Sequence, residues 1–379
     1  MDKTKALLWT IRACGFVSLV IFVLIKGVSI NPRYFGTSRL LERMCPQDDW
    51  LRYGNLYGQT QIARFRIPLP DEKGPELLNT PAADAGKYHV VVLGDSMAQF
   101  RRGHENYVES LSKRLGEPID FQFWHFLTPE CFARLPEPID KTRPRIVIIE
   151  RVENKLLEEF ADVKACPGGS LNERSTRSLS AFASRLIGIV FTDDELAFRG
   201  FFSFSRPTRR LAEALFTARF SLSGAISDQA HLYSLNPPFV FAHYETDPNL
   251  SWSFYGRHDD AVIERLADNI AKLRDALRSG PNDEFVFMPV PGKYTLYHSL
   301  INNDPYDLFL PRLYDAVERR GIRTVRIYEK LAAEPGLTFY PTDTHWTPLG
   351  NEIALDETMK VLRDLRRRPT RPAPATKRG

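Results

Sequence analysis

The fold is decided by one stretch of the sequence, Tyr88-His89-Val90-Val91-Val92-Leu93-Gly94-Asp95-Ser96-Met97. Its continuous apolar, β-branched run is typical of a strand buried on both faces, as in the centre of a parallel sheet. The glycine after the run allows a sharp turn, so Ser96 is expected at the carboxyl end of this central strand. Open α/β sheets bind ligands at that edge, where a serine on a strand-to-helix turn exposes its hydroxyl. Gly, Asp and Ser are also common turn formers, so this stretch alone leaves a simple turn open.

A second stretch supplies the partners that a serine nucleophile needs, Tyr340-Pro341-Thr342-Asp343-Thr344-His345-Trp346-Thr347-Pro348-Leu349-Gly350. A serine hydroxyl becomes a good nucleophile when an imidazole accepts its proton and a carboxylate orients that imidazole. Asp343 and His345 provide this pair. Thr347 and Pro348 form an N-cap and first-turn signature, which places the pair on a loop before a helix. By itself, Asp-x-His is more simply a surface turn or a cap. Together with Ser96 it indicates a Ser96–His345–Asp343 triad.

The remaining pattern predicts an α/β domain with a doubly wound, parallel, five-stranded sheet. Four further strands are predicted at residues 121–126, 145–150, 284–290 and 324–328. Apolar residues three and four apart predict a helix over Tyr107, Val108, Leu111 and Leu115 that ends at Gly116, and a second helix over residues 259–278. Strands that alternate with helices favour a parallel sheet with right-handed crossovers.

These motifs resemble a known family. Gly94-Asp95-Ser96 with a C-terminal Asp-x-His is similar to the SGNH (GDSL-like) hydrolase superfamily, whose fold is a doubly wound α/β sandwich. More narrowly, Asp343-Thr344-His345-Trp346 resembles the Asp-x-His-Trp motif of the alginate O-acetyltransferase (AlgX/AlgJ) relatives. Residues 288–297 resemble the Pro-x-Lys-x-x-x-Tyr segment of that group, and residues 145–154 resemble its strand ending in Glu. The resemblance covers roughly residues 86–365, and its middle matches poorly.

The resemblance implies further site residues near the pocket: Lys293, Tyr297 and Trp346. The Trp346 ring either packs beneath the imidazole or presents a face to a sugar. Lys293 follows a buried strand at the edge of the sheet that carries Ser96, where it either meets an anionic glycan or is merely solvated.

The sequence departs from the family in two ways. In the alginate enzymes the Asp-x-His motif precedes the serine, whereas here Ser96 comes first, so the chain resembles a circular permutation of them. General SGNH enzymes also carry a Gly-x-Asn-Asp block after a buried strand that completes the oxyanion hole, and no such block follows the third predicted strand here. Arg151 or Asn154, after the third predicted strand, are the candidates for the missing donor.

The N-terminal segment predicts a membrane anchor. Residues 6–25 are apolar apart from Thr10, Arg12 and Ser18, and Lys3 and Lys5 precede them. This length fits a membrane-spanning helix. A cleaved signal peptide is the alternative, but no Ala-x-Ala-like site follows. The expected location is the inner membrane, single-pass, with a periplasmic catalytic domain, because the similar acetyltransferases work outside the cytoplasm.

The chain is therefore expected to have four parts. These are an anchor (1–30), an irregular lead-in (31–85), an SGNH-like domain (86–365) with a helical insertion at about 166–258, and a basic disordered tail (366–379). The lead-in is either a core-packing or a sugar-binding aromatic segment. The insertion is either a lid or partner-docking element, or an outer helical layer.

Composition adds few constraints. The net charge of +4 is too small to indicate nucleic acid binding. Cys45, Cys131 and Cys166 allow at most one disulfide in an oxidising compartment, and no spacing suggests a metal site or a cofactor.

The favoured function is an extracytoplasmic O-acetyltransferase acting on hydroxyls of an exported polysaccharide. Because acetyl-CoA is cytosolic, the acetyl donor is expected to be a polytopic membrane acyltransferase partner. An acetyl esterase of glycans uses the same triad and remains open. A non-catalytic glycan-binding or scaffold subunit of an export complex is the third alternative, and an intact triad argues against it.

Overall fold

The computed structural model describes residues 9–10, 12–13, 54–68, 89–99, 106–123, 145–160, 206–226, 232–278 and 282–367. Its strands are β1 (His89–Gly94), β2 (Asp120–Phe123), β3 (Arg145–Val152), β4 (Tyr233–Leu235), β5 (Pro238–Val240), β6 (Glu284–Val290) and β7 (Arg323–Thr324). Its helices are α1 (Asn55–Thr60), α2 (Ser96–Gln99), α3 (Tyr107–Leu115), α4 (Glu153–Phe160), α5 (Arg206–Ser223), α6 (His243–Thr246), α7 (Asp260–Leu277), α8 (Lys293–Tyr297), α9 (Phe309–Arg319), α10 (Tyr328–Ala333) and α11 (Pro348–Arg367).

Five of these strands form one parallel sheet in the order β2-β1-β3-β6-β7. The α/β class and the five-stranded parallel sheet are therefore confirmed. Two details differ from the prediction: β3 is the middle strand and β1 lies beside it, and β7 has only two residues. The run predicted as strand 324–328 leaves the ladder after Thr324, and α10 begins at Tyr328. As an edge strand, β7 pairs on one side only, so little holds it in extended form.

Each face of the sheet buries one apolar layer, as the strand alternation requires. One layer contains Val91, Leu93, Val147, Ile149 and Phe287 and packs against α4, α7 and α9. The other contains Val90, Val92, Ile146, Ile148 and Met288 and packs against α3 and α11. Helices on both faces make the sheet doubly wound.

The predicted helix boundaries follow from local capping. The Asn106 side chain accepts a hydrogen bond from the Glu109 N–H at the start of α3, and Gly116 ends that helix in the left-handed conformation. The Asp259 side chain caps α7. Thr347 Oγ1 accepts from the Gly350 N–H before Pro348 opens α11. The helices expected over residues 107–115, over 259–278 and after Pro348 are thus present.

Two compact units divide the chain. The sheet unit contains Asp71–Gly169, Asp247–Phe339 and His345–Gly379. The second unit contains Met1–Pro70, Ser170–Thr246 and Tyr340–Thr344. It encloses its own apolar core, formed by Leu56, Tyr57, Ile62, Phe65, Phe216, Ile226, Val240 and Ala242. Parts of the predicted lead-in and of the predicted insertion therefore fold together, and the aromatic residue Tyr57 of the lead-in is a core residue.

Several predictions lie outside the described residues. They concern most of the anchor at residues 1–30, the cysteines and the C-terminal tail. Within the described part of the chain, no helix is both long and apolar enough to span a membrane. Among the same residues, no group of His, Cys, Asp and Glu side chains could hold a metal ion.

Candidate active site

Ser96 lies at the carboxyl end of β1, as predicted, and is the first residue of the short helix α2. Its side chain is half-buried, whereas its neighbours Asp95 and Met97 are buried. The backbone N–H groups in the first turn of a helix have no partner inside that helix. The Ser96 N–H therefore has no partner within α2, and its use as an oxyanion donor stays a prediction.

Asp95 holds the turn that presents Ser96. Its Oδ1 accepts the Met97 N–H at 2.7 Å, and its Oδ2 accepts from Arg151 Nη1 at 3.0 Å. Arg151 has no exposed surface and also pairs with Glu159 of α4. The guanidinium of Arg151 is therefore buried between two carboxylates, and its predicted role as an oxyanion donor stays a prediction.

Glu150 braces the same turn from the end of β3. Its Oε2 accepts the Asp95 N–H at 2.9 Å. A Cβ at position 94 would lie 2.7 Å from this oxygen, so Gly94 is what allows Glu150 to approach the turn. Burial, followed by the negative charge of Asp95, holds the pKa of Glu150 well above its usual range. Burial and the neighbouring carboxylate of Asp95 therefore both disfavour the ionised form of Glu150.

His345 lies on the loop that was predicted to carry it. The loop closes where Phe339 and Trp346 form an isolated antiparallel bridge and where the Thr347 N–H donates to the Thr338 carbonyl at 2.9 Å. His345 is 5% exposed. Trp346 belongs to the apolar cluster that covers one face of the sheet, so this part of the loop is anchored in the core of the sheet unit.

Ser96 and His345 both belong to the sheet unit, but a hydrogen bond between the serine hydroxyl and His345 Nε2 is not formed in the described structure. Catalytic hydrogen bonds are often long before substrate binds and tighten in the complex. The triad of Ser96, His345 and Asp343 therefore stays a prediction. What the structure adds is the placement of both groups in one unit, on loops that are each fixed by buried contacts.

Asp343 is fully buried and is bonded within the second unit. Its Oδ2 accepts the backbone N–H of Asn55 at 2.9 Å. The neighbouring Thr342 carbonyl accepts the N–H groups of Leu56 and Tyr57. The sequence offered no signal for these contacts, because Asn55 and Asp343 are 288 positions apart.

Of the remaining predicted site residues, Lys293 and Tyr297 follow β6, Asn154 follows β3, and Trp346 directly follows His345. Trp346 is 2% exposed, and its ring lies 6.0 Å from that of Tyr107, so the ring is packed in the core; a position beneath the imidazole stays a prediction. Lys293 has no exposed surface, which excludes the solvated alternative. The Tyr297 hydroxyl accepts the Thr338 N–H at 2.8 Å and so supports the segment that leads into the His345 loop. Asn154 is buried on α4.

Glu153, which was not among the predicted site residues, connects several of these segments. It accepts hydrogen bonds from the Gly292 N–H, the Thr295 hydroxyl and the Tyr306 hydroxyl. Burial raises the pKa of Glu153 despite these three donors. This carboxyl group therefore fixes the start of α8, where Lys293 lies.

The architecture, a doubly wound parallel sheet with a serine turn at the carboxyl end of a buried strand, is consistent with an SGNH hydrolase-like fold. Comparison with known proteins agrees. Residues 250–377 match the family model of the SGNH hydrolase-like domain, acetyltransferase AlgX. Over 118 residues the chain is 33% identical to the probable alginate O-acetylase AlgJ of Pseudomonas syringae pv. tomato.

That alignment covers 28% of this chain and 30% of the relative. No solved structure matches the chain. The resemblance to AlgX/AlgJ-like SGNH proteins is confirmed over the part that contains Lys293, Asp343 and His345, whereas Ser96 lies outside the matched residues.

Proposed function

We propose that this chain is an extracytoplasmic O-acetyltransferase that esterifies hydroxyl groups of an exported polysaccharide through an acyl-serine intermediate. One observation carries the proposal. A serine turn braced by Asp95 and Glu150 lies in the same unit as His345 and Trp346, which belong to an Asp-x-His-Trp motif within the residues that match an acetyltransferase SGNH domain. The polysaccharide is proposed because the relative is named an alginate O-acetylase.

The proposed reaction has two half-reactions. First, His345 accepts the proton of the Ser96 hydroxyl while Oγ attacks the acetyl carbonyl. The resulting oxyanion is held by the Ser96 N–H and a second donor, and such a donor is worth about 3 kcal/mol. The leaving group then departs with the proton from His345. In the second half-reaction, His345 accepts the proton of the sugar hydroxyl while the sugar oxygen attacks the acetyl-serine. His345 then gives this proton to Ser96 Oγ as the bond between Oγ and the acetyl group breaks.

The donor and the location belong to the same proposal. The acetyl group comes from a polytopic membrane acyltransferase, since acetyl-CoA is confined to the cytosol. The chain is held at the inner membrane by residues 6–25, and its catalytic part faces the periplasm. A periplasm-active reporter fused after Gly379 is expected to give signal, and a cytoplasm-active reporter at the same place is expected to give none.

The test separates the two half-reactions. The purified protein is mixed with p-nitrophenyl acetate, and the release of nitrophenol is followed together with mass spectrometry of the peptide that contains Ser96. Wild-type protein should gain one acetyl group on Ser96, and Ser96→Ala should gain none. Absence of acetylation at Ser96 in the wild type would refute the proposal.

The second half-reaction is tested by adding alginate oligosaccharides to the acetylated protein. Acetyl ester on the oligosaccharide supports transfer. Release of acetate alone, at a rate unaffected by the oligosaccharide, would instead identify an esterase. Neutral oligosaccharides of the same length serve as the matched acceptor control.

A further inference from the structure

We infer that Asn55 is a positioning residue for the Asp343–His345 segment, an inference that rests on the proposed function. Asn55 makes three hydrogen bonds to two consecutive residues of this segment. Its backbone N–H donates to Asp343 Oδ2 at 2.9 Å. Its side-chain Nδ2 donates to Thr344 Oγ1 at 2.7 Å, and its Oδ1 accepts the Thr344 N–H at 3.0 Å.

The Asn55 side chain thus holds the residue between the carboxylate and the imidazole. Thr344 bonds both polar atoms of the Asn55 amide. Its hydroxyl accepts from Nδ2, and its backbone N–H donates to Oδ1. A pair of bonds to one residue fixes the orientation of its peptide group as well as its position. The peptide group that contains the Thr344 nitrogen joins Asp343 to Thr344, and the next peptide group joins Thr344 to His345.

The backbone on either side of Asn55 supports the same contact. The Leu56 and Tyr57 N–H groups donate to the Thr342 carbonyl at 3.1 and 3.2 Å. Gly54 has φ +97°, and a Cβ there would lie 2.0 Å from the Thr342 oxygen. Close backbone approach therefore requires glycine at this position. Residues 54–57 together bind three successive residues of the loop, Thr342, Asp343 and Thr344.

The contacts from residues 54–57 matter because they fix the geometry of the Asp343 segment. Asp343 is fully buried, so the direction of its carboxylate is set by its neighbours. A carboxylate orients a catalytic imidazole only when it is itself held, and small displacements at such groups cost large factors in rate. Loss of the Asn55 amide should therefore lower kcat by about 10- to 100-fold and leave KM for a small ester nearly unchanged.

The experiment uses the full chain with substitutions at Asn55 and at Thr344, made singly and together. Asn55→Ala removes both amide contacts, and Thr344→Val removes the hydroxyl acceptor while preserving side-chain shape. Each should lower kcat for p-nitrophenyl acetate, and the double variant should be no slower than Asn55→Ala alone. Thr344→Ser, which keeps the hydroxyl, should restore most of the rate.

Thr217→Val is the matched control. Thr217 lies in the same unit, and its hydroxyl accepts the Ala63 N–H at 2.9 Å. This substitution removes a hydrogen bond of the same kind at a site remote in sequence from Asp343, so kcat should remain at the wild-type value. A loss of kcat in Thr217→Val as large as that in Thr344→Val would show general loosening of the unit and overturn the inference.

A readout independent of activity separates this inference from the proposed function. In protein with isotopically labelled histidine, the imidazole resonance of His345 is assigned as the one missing from His345→Gln. Asn55→Ala should shift this resonance, and Thr217→Val should leave it in place. An unshifted resonance in Asn55→Ala overturns the inference even if Ser96 is acetylated. A shifted resonance without acetylation of Ser96 supports the positioning role and refutes the acetyltransferase.

Discussion

Arg151→Met should destabilise the sheet unit strongly, because it removes the charge that two carboxylates share. The Arg151 side chain has no exposed surface, and those of Asp95 and Glu159 are only 7% and 18% exposed. Removing one partner of a buried ion pair leaves an uncompensated charge and costs about 3–5 kcal/mol. Methionine preserves most of the volume, so this cost reflects charge and hydrogen bonding.

The measurement is urea unfolding followed by circular dichroism at neutral pH. Arg319→Met is the matched control, since Arg319 pairs with Glu264 on the surface, where the side chains are 59% and 44% exposed. An exposed pair contributes about 0–1 kcal/mol. Arg151→Lys, which keeps the charge and loses the planar fork, should lie between the two.

Arg151→Met also tests whether the buried ion pair holds the turn that carries Ser96. Asp95 without Arg151 still accepts the Met97 N–H, but its carboxylate is no longer fixed from the other side. Acetylation of Ser96 should therefore slow in the fraction that remains folded. An Arg151→Met protein as stable as Arg319→Met would refute the reasoning that a buried, shared cation holds the turn.

Three further predictions follow from the site. Ser96→Ala and His345→Ala should each abolish ester turnover, and the double variant should be no worse than either single one, because the two groups act as a unit; substantial activity in Ser96→Ala would contradict this assignment. Burial raises the pKa of Glu153 above its ordinary value of 4.5, so the folded state binds this proton more tightly than the unfolded chain. The stability advantage of the wild type over Glu153→Gln, measured by urea unfolding, should therefore decrease as pH rises from 4.5 through the raised pKa, and a constant difference would show that Glu153 does not titrate there. Gly54→Ala should cost more than Gly321→Ala in the same assay: both glycines have positive φ, but a Cβ at Gly321 meets nothing within 4 Å, so its cost is limited to about 1–2 kcal/mol of backbone strain.

Local pattern was enough to predict the sheet. The apolar run before Gly94 and the caps at Asp259 and Thr347 act through neighbours in sequence, so the strands and helices they define are found as expected. The loop that carries His345 was found in the same way. The last strand was predicted too long because its apolar residues Val325 and Ile327 are buried without continuing the ladder.

Contacts between distant segments could not be predicted. Asn55 bonds a residue 288 positions away, and one core gathers side chains from residues 56–65 and 216–242. Nothing in the periodicity of either segment indicates such a partner. Arg151 illustrates the same limit at shorter range, since a cation at a strand end fits both a substrate contact and an internal ion pair, and only the burial of its partners separates them.

The border between the two compact units passes between Thr344 and His345, inside the Asp-x-His motif. The position of this border affects the design of truncated versions of the protein. A fragment beginning at the first strand of the sheet would keep Ser96, Asp343 and His345, yet it would lack residues 54–57, which bond Thr342, Asp343 and Thr344. Low activity of such a fragment would reflect a carboxylate that has lost its support. Expression boundaries should therefore be drawn before Gly54, however well the sheet folds without it.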